Sequence, residues 1–277
     1  MTPIEHTGWF LPAVEEGFKH RKEILSLWEK VIAYLAGKKS LIVITGMPGT
    51  GKSVLSEHLV GEAYQRGHEN PLQPSPSVEE GKIIERKKRI KIITIPGQLA
   101  GPRLDALDDL VEGSQPITGI VHVVANGFAK TRSAGSEQAL IEQAKLDTMA
   151  KYRDYQLQQE ITDLALTCEF AQRAIRKQER HIWMLVAATK CDLYANEIAA
   201  AEQYYSPFGQ NAFVEQLVRL QTTVGKMNFG WDSIPVCGCL EDFIWNKEVV
   251  PSGLKISQRD KLVLGLLKRI EGACATS

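Results

Sequence analysis

Gly46-Met47-Pro48-Gly49-Thr50-Gly51-Lys52-Ser53 spells G-x-x-x-x-G-K-S and stands between the apolar run Leu41-Ile42-Val43-Ile44 and a helix-like stretch from Val54 to Tyr64. Strand, loop and helix in that succession turn a short pattern into a phosphate-binding loop. Glycines let the backbone curl so that successive N–H groups point at phosphate oxygens, and the helix N-terminus adds partial positive charge. The candidate contact surface is Gly46 to Ser53 with the flanking Val54. Lys52 is placed to reach the β- and γ-phosphates, and the Ser53 hydroxyl to ligate Mg²⁺. The alternative, a Gly-rich turn with a chance lysine, is disfavoured by the flanking strand and helix.

The chain has 277 residues, 44% of them hydrophobic, which suffices for one large α/β core with additions. Its 33 basic and 33 acidic residues balance, so no global field draws it toward nucleic acid or an anionic membrane. Cys168, Cys191, Cys237, Cys239 and Cys274 form no C-x-x-C pair and are odd in number, which argues against a disulfide framework and for a reduced cytoplasmic setting. The N-terminus lacks the basic start and apolar stretch of a signal peptide, and no apolar run reaches membrane-spanning length.

Ile24, Leu27, Trp28, Val31, Ile32 and Leu35 fall at helical spacing before Gly37, so a lead-in helix is expected over residues 13–36, within a segment 1–37 distinct from the remainder at 38–277. Pro71, Pro74 and Pro76 make residues 70–77 a mobile loop. A hairpin is expected from Gly81–Glu85 and Ile90–Ile95, joined by the basic turn Arg86-Lys87-Lys88-Arg89. That turn reads as a solvated tip, since no aromatic residues interleave with its charges. Gly119–Ala125 and Ile182–Ala188 are further buried strands. Helical stretches separate the strands, which predicts an α/β fold with a mostly parallel sheet and helices on both faces.

Between the last two strands, Ser136 to His181 holds no Gly or Pro and is rich in helix formers. Leu157, Ile161, Leu164, Cys168, Ala171 and Ile175 trace a heptad seam. A single helix here would be about 65 Å long, so a helical hairpin or a projecting helix is expected, an insertion at about 131–181. Its second half is expected to pack on the sheet, and its first half, Leu140 to Tyr155 with Met149 and Tyr152, to dock a partner chain or a second copy.

Thr189-Lys190-Cys191-Asp192 follows the strand Ile182–Ala188, and with it the chain resembles the translation-factor and Ras-like class of P-loop GTPases, whose guanine-reading motif is [N/T]-K-x-D after a strand. An aspartate there can accept two hydrogen bonds from guanine N1–H and the exocyclic amine, a donor pair that adenine lacks. The resemblance implies that Lys190 lies along the base and that Thr189, Asp192 and Leu193 border it. Thr94-Ile95-Pro96-Gly97-Gln98 resembles D-x-x-G-Q, in which the glycine N–H binds the γ-phosphate and the glutamine orients the attacking water. Gly97 and Gln98 match. Thr94 stands where the class has an aspartate that holds Mg²⁺ through water, and it lacks that charge. Cys237-Gly238-Cys239 resembles the loop whose backbone N–H contacts guanine O6. No threonine occurs between Thr50 and Thr94 to serve as the metal-binding threonine of the first switch, and Ser75 or Ser77 stands in that stretch instead. The resemblance runs from Ser40 to about Ile270.

It implies a cytoplasmic guanine-nucleotide switch that hydrolyses GTP slowly with Mg²⁺, with Lys52 and Gln98 as catalytic residues and a protein effector or self-association through the insertion. An ATPase is the main alternative, but neither Ile90–Ile95 nor Gly119–Ala125 ends in the acidic residue such enzymes use. A scaffold that binds GTP or GDP without hydrolysis is the other. Thr94 and the missing threonine favour it, and Gln98 opposes it.

Overall fold

The computed structural model describes residues 26, 41–60, 79–85, 88–95, 97, 101–131 and 133–275. The expected lead-in helix and the Pro-rich loop, with Ser75 and Ser77, lie outside the described residues, as does Gln98.

The apolar run ahead of the phosphate loop forms β1 (Leu41–Thr45), buried along its whole length. The loop closes into α1 (Lys52–Val60). A hairpin of β2 (Glu79–Glu85) and β3 (Lys88–Thr94) follows, its strands pairing up to Glu85 and Lys88. Lys88 and Arg89 therefore belong to the strand, where a basic turn from Arg86 to Arg89 was expected. Next come α2 (Gly101–Glu112), β4 (Ile117–Val124), α3 (Ala134–Glu142), α4 (Met149–Gln178) and β5 (Ile182–Ala188). The chain continues through α5 (Ile198–Tyr205), α6 (Ala212–Val224), β6 (Phe229–Pro235), the small hairpin β7 (Phe243–Trp245) and β8 (Glu248–Val250), and α7 (Ile256–Ala275).

One sheet in the order β2-β3-β1-β4-β5-β6 organises these elements. Only β2 runs antiparallel to its neighbour; β3, β1, β4, β5 and β6 are mutually parallel. Alternation along each strand feeds two cores. Ile42, Ile44, Val121, Val123, Trp183 and Leu185 face α1 and α7, where Leu55, Leu59, Val263 and Leu267 meet them. Leu41, Val43, Ile120, Val124, Met184 and Val186 face the other way, onto Leu107 and Val111 of α2, Phe170 and Ala174 of α4, and Phe213 and Leu217 of α6. Gly119 makes room for the Trp183 indole, since a Cβ there would stand 2.1 Å from a ring carbon.

The crossover from β4 to β5, expected as a helical hairpin or a projecting helix, is made of two helices, α3 and α4. Thr148 caps α4, its side chain accepting from Lys151 N at 3.4 Å, and Lys145 in the left-handed region (φ 58°) turns the chain between α3 and α4. The 30 residues of α4 span about 45 Å and bury one face from Met149 to Ile175. Met149 and Tyr152, expected to meet a partner, are instead 8% and 0% exposed inside a third apolar cluster with Phe128, Tyr194, Phe243 and Trp245. The Tyr152 and Trp245 rings stack with centroids 3.6 Å apart, and the Trp245 indole N–H donates to Leu146 O at 2.7 Å. The surface that covers the first half of this stretch comes from the chain itself. Asn246 and Lys247 (φ 42° and 72°) form the tight two-residue turn that aims Phe243 and Trp245 inward.

Candidate functional site

β1, β4, β5 and β6 are parallel neighbours, so the loops that leave their C-terminal ends gather along one edge of the sheet. The Gly46–Ser53 loop leaves β1 with Gly46, Gly49 and Gly51 all at positive φ (132°, 75° and 92°). At Gly46 a Cβ would lie 2.3 Å from Val123 O, and at Gly49 it would lie 2.0 Å from Lys130 O, so both positions require glycine for clearance as well as for conformation. Lys52 is 8% exposed, and its ammonium donates to Gly46 O and Met47 O at 2.8 Å, lying within the curl of the loop. Thr50 Oγ1 donates to Met47 O at 2.9 Å and braces the turn.

Gly97 is buried against this loop. A Cβ on it would stand 2.4 Å from Pro48 N and 2.7 Å from Lys52 Nζ. The glycine expected to meet a γ-phosphate thus lies at the lysine expected to hold one. Thr94, at the end of β3, is 4% exposed, and its Oγ1 has no hydrogen-bond partner among the described residues. Such an orphaned hydroxyl beside the phosphate loop fits a group that accepts from a metal-bound water and supplies no charge. Among the described residues no three His, Cys, Asp or Glu side chains converge as a metal site.

The second motif leaves β5. Thr189 Oγ1 shares its proton between Thr50 O at 2.6 Å and Val124 O at 2.9 Å, and this ties the Thr189–Asp192 turn directly to the phosphate loop. Lys190 adopts φ 59°, donates from Nζ to Phe128 O at 2.6 Å, and places its ammonium 5.4 Å from the Phe243 ring centroid. Desolvation, helped by Lys130, lowers its pKa to about 7. The Asp192 carboxyl is 2% exposed; Oδ2 accepts from Glu241 N at 3.1 Å and Oδ1 from the Cys237 thiol at 3.4 Å. A carboxylate offers about four lone-pair positions, so this carboxyl is oriented by the protein without being saturated. Leu193 lies in the aromatic cluster below it.

Cys237-Gly238-Cys239 follows β6 and closes the edge. Gly238 O accepts from His58 Nε2 at 2.7 Å, and a Cβ on Gly238 would stand 2.7 Å from Val54 Cγ1, which seats the loop on α1. Burial raises the Cys237 thiol well above its ordinary range, so it serves as a weak donor to Asp192.

Sequence reading missed the segment that leaves β4. Asn126 and Gly127 (φ 49° and 82°) turn it beneath the phosphate loop, where Lys130 N donates to Gly49 O at 3.1 Å. Helix α4 fixes this segment from behind. Glu160 Oε1 accepts from Ala125 N at 2.9 Å and Gly127 N at 3.1 Å, its Oε2 accepts from Tyr205 OH at 2.6 Å, and the Tyr152 hydroxyl donates to Ala129 O. Burial pushes the Glu160 carboxyl upward while those three donors pull it down. The Asn126-Gly127 pair after an apolar strand was the legible signal for this turn.

The family described as methylmalonyl Co-A mutase-associated GTPase MeaB matches residues 10–98, the part of the chain that holds the phosphate loop and Gly97. The chain carries an α/β P-loop fold, a largely parallel sheet with the phosphate loop between β1 and α1. Among solved structures, the chain is similar to the ADP ribosylation factor-like GTP-binding protein Sar1 of Encephalitozoon cuniculi, at 12% identity over 98% of this chain and 95% of that one, with a TM-score of 0.43. It is also similar to Toc33 of Arabidopsis thaliana with Mg²⁺ and GMPPNP, at 15% identity over 91% and 93% of the two chains and a TM-score of 0.42. No curated protein matches it.

Proposed function

We propose that the protein is a guanine-nucleotide switch that hydrolyses GTP slowly to GDP and phosphate with Mg²⁺. The hydrogen bond from the Thr189 hydroxyl to Thr50 O at 2.6 Å is the observation that supports this reading best, because it joins the proposed base-reading motif to the phosphate loop. Gly46 to Val54 cradle the phosphates and Lys52 neutralises them. Asp192 accepts from guanine, Lys190 lies along the base, and the Cys237–Cys239 backbone faces O6. Because the Asp192 carboxyl lies under the turn from Cys237 to Glu241, that turn shifts to admit a base. Ser53, with Thr94 through water, holds Mg²⁺, whose charge offsets that of the phosphates; Ser75 or Ser77 is proposed as a further ligand. Gln98 orients the attacking water while the Gly97 N–H faces the γ-phosphate.

A protein effector or a second copy is proposed as the partner, and the matching family is itself described as mutase-associated. Thr94, which lacks the charge of a carboxylate, favours a second reading, a scaffold that holds GTP or GDP without turnover. Single-turnover hydrolysis separates the two. The switch reading expects turnover on the order of 10⁻⁴ to 10⁻² per second without a partner, abolished in Gln98→Leu and dependent on Mg²⁺ through Ser53. No wild-type turnover would favour the scaffold, and a wild-type rate in Gln98→Leu would remove Gln98 from the mechanism.

A further inference from the structure

The side chains of Lys130 and Glu241 face each other across the proposed base-reading loop and have no part in the site described above. They form an ion pair at 2.6 Å, each about half exposed. Lys130 belongs to the segment that leaves β4, and Glu241 to the segment that leaves β6. In the sheet β5 lies between those two strands, so the pair spans the loop that carries Thr189 to Asp192. Both charges are felt by Lys190 in that loop: beyond the desolvation that lowers the Lys190 pKa, the Lys130 charge lowers it further and the Glu241 charge opposes.

The two ends of the pair are anchored differently. The Lys130 main chain is fixed to the phosphate loop, its N–H donating to Gly49 O at 3.1 Å. Glu241 sits in a short stretch without regular structure, Cys239 to Asp242, slung between Gly238, which is seated on α1 through His58, and Phe243, which is buried in the aromatic cluster. At its far end Asp242 Oδ1 accepts from Ser252 N at 2.8 Å. The stretch is a flap on Asp192. Glu241 N donates to Asp192 Oδ2 at 3.1 Å, and the Cys237 thiol shares its proton between Asp192 Oδ1 at 3.4 Å and Cys239 O at 3.1 Å. With the flap down Asp192 is 2% exposed, so a base that is to use both carboxylate oxygens has to lift it.

We propose that the Lys130–Glu241 pair is a strap that holds this flap over Asp192 and so limits the rate at which a guanine nucleotide enters. Lys130 and Glu241 are positioning residues, acting on the base through the flap. The inference rests on the guanine-nucleotide reading and adds to it the element that controls access to the base site. Because the strap opens before the base seats, its cost falls on association: apparent affinity is reduced by the fraction of molecules with the flap up. A half-exposed ion pair contributes up to about fivefold to such an equilibrium.

The test is stopped-flow association and dissociation of a fluorescent GDP analogue, with Mg²⁺, in the wild type, Glu241→Gln, Lys130→Met, and the exchanged pair Lys130→Glu with Glu241→Lys. Both positions are half exposed, so the variants fold. The strap predicts that each single variant speeds association about three- to fivefold at low salt and leaves dissociation within about twofold. That advantage fades as salt rises and screens the wild-type pair. The exchanged pair restores the contact and brings association back to within about twofold of the wild type. Altered attraction of the anionic nucleotide gives a different pattern, since the loss of a negative charge in Glu241→Gln would speed association while the loss of a positive charge in Lys130→Met would slow it. That opposed pattern, or association within about twofold of the wild type in both single variants, overturns the strap and leaves the guanine reading standing. If the wild type binds the analogue no better than a fluorescent ADP analogue, the guanine reading falls, and the strap with it.

Discussion

Asp192 is the residue on which the proposed base choice turns. Its carboxyl accepts from Glu241 N and the Cys237 thiol, and a base that enters moves that turn and takes up the acceptors it frees. Asp192→Asn turns one acceptor into a donor, and the loss expected for GDP and GTP is on the order of 2–4 kcal/mol, with a shift toward xanthine nucleotides; calorimetry with GDP and XDP measures both. Gly97 gives a second expectation at this scale. A methyl there meets main chain at Pro48 and Met47, so Gly97→Ala should cut GTP hydrolysis at least about tenfold while GDP affinity changes little, since the collision is at the lysine end of the loop. His122 gives a third. Burial, with Arg103 and Lys52 acting in the same direction and Asp163 against, lowers its pKa to about 4. The folded ring stays neutral while the unfolded one protonates near 6.5, so its contribution is present above pH 6.5 and lost as pH falls to about 4, about 3 kcal/mol in all. His122→Gln should flatten the difference in urea stability between pH 6.5 and 4. Residue types and spacing made Gly46–Ser53 and Thr189–Asp192 readable in the sequence, because those chemistries require fixed intervals. Glu160, Glu241 and Arg103 were not readable, because their partners are supplied by elements 33 to 60 residues away.

Helices α3 and α4 show what periodicity conveys and what it omits. The seam from Leu164 to Ile175 lies against the sheet as its spacing implied, because apolar residues at helical intervals need a surface to cover them. The absence of Gly and Pro from Ser136 to His181 concealed where the break falls. Lys145 accepts a left-handed conformation without glycine's help, and the cap is a threonine preceded by an aspartate, Asp147-Thr148. The partner of Tyr152 was invisible because Phe243 and Trp245 arrive from a hairpin almost a hundred residues later, whose strands of three residues each are too short to show alternation. Trp245→Ala should destabilise the fold by about 3–5 kcal/mol, as expected for an aromatic removed from a packed core, with a larger loss of nucleotide affinity than an exposed change such as Lys247→Ala causes. Denaturant melts with and without GDP check it. Removal of Ser136 to Tyr155 should unfold the base side of the protein, because that deletion takes Met149 and Tyr152 out of the cluster beneath Lys190 and Leu193.

At the scale of the molecule, a parallel sheet collects five chain segments at one edge, and four of them carry the motifs that the sequence announces: the phosphate loop after β1, Thr94 and Gly97 at the end of β3, Thr189–Asp192 after β5, and Cys237–Cys239 after β6. The loop after β4 joins them, supporting Gly49 through Lys130 N and receiving Lys190 at Phe128 O. No described helix is long and apolar enough to cross a membrane. The central claim is that this edge selects guanine, and competition titration of the purified protein measures it directly. With Mg²⁺ present and a fluorescent GDP analogue bound, GTP and GDP should displace it at least about a hundredfold more effectively than ATP or ADP, the discrimination expected when a buried carboxylate has lost its two donors. Equal displacement by ATP and GTP would contradict the account.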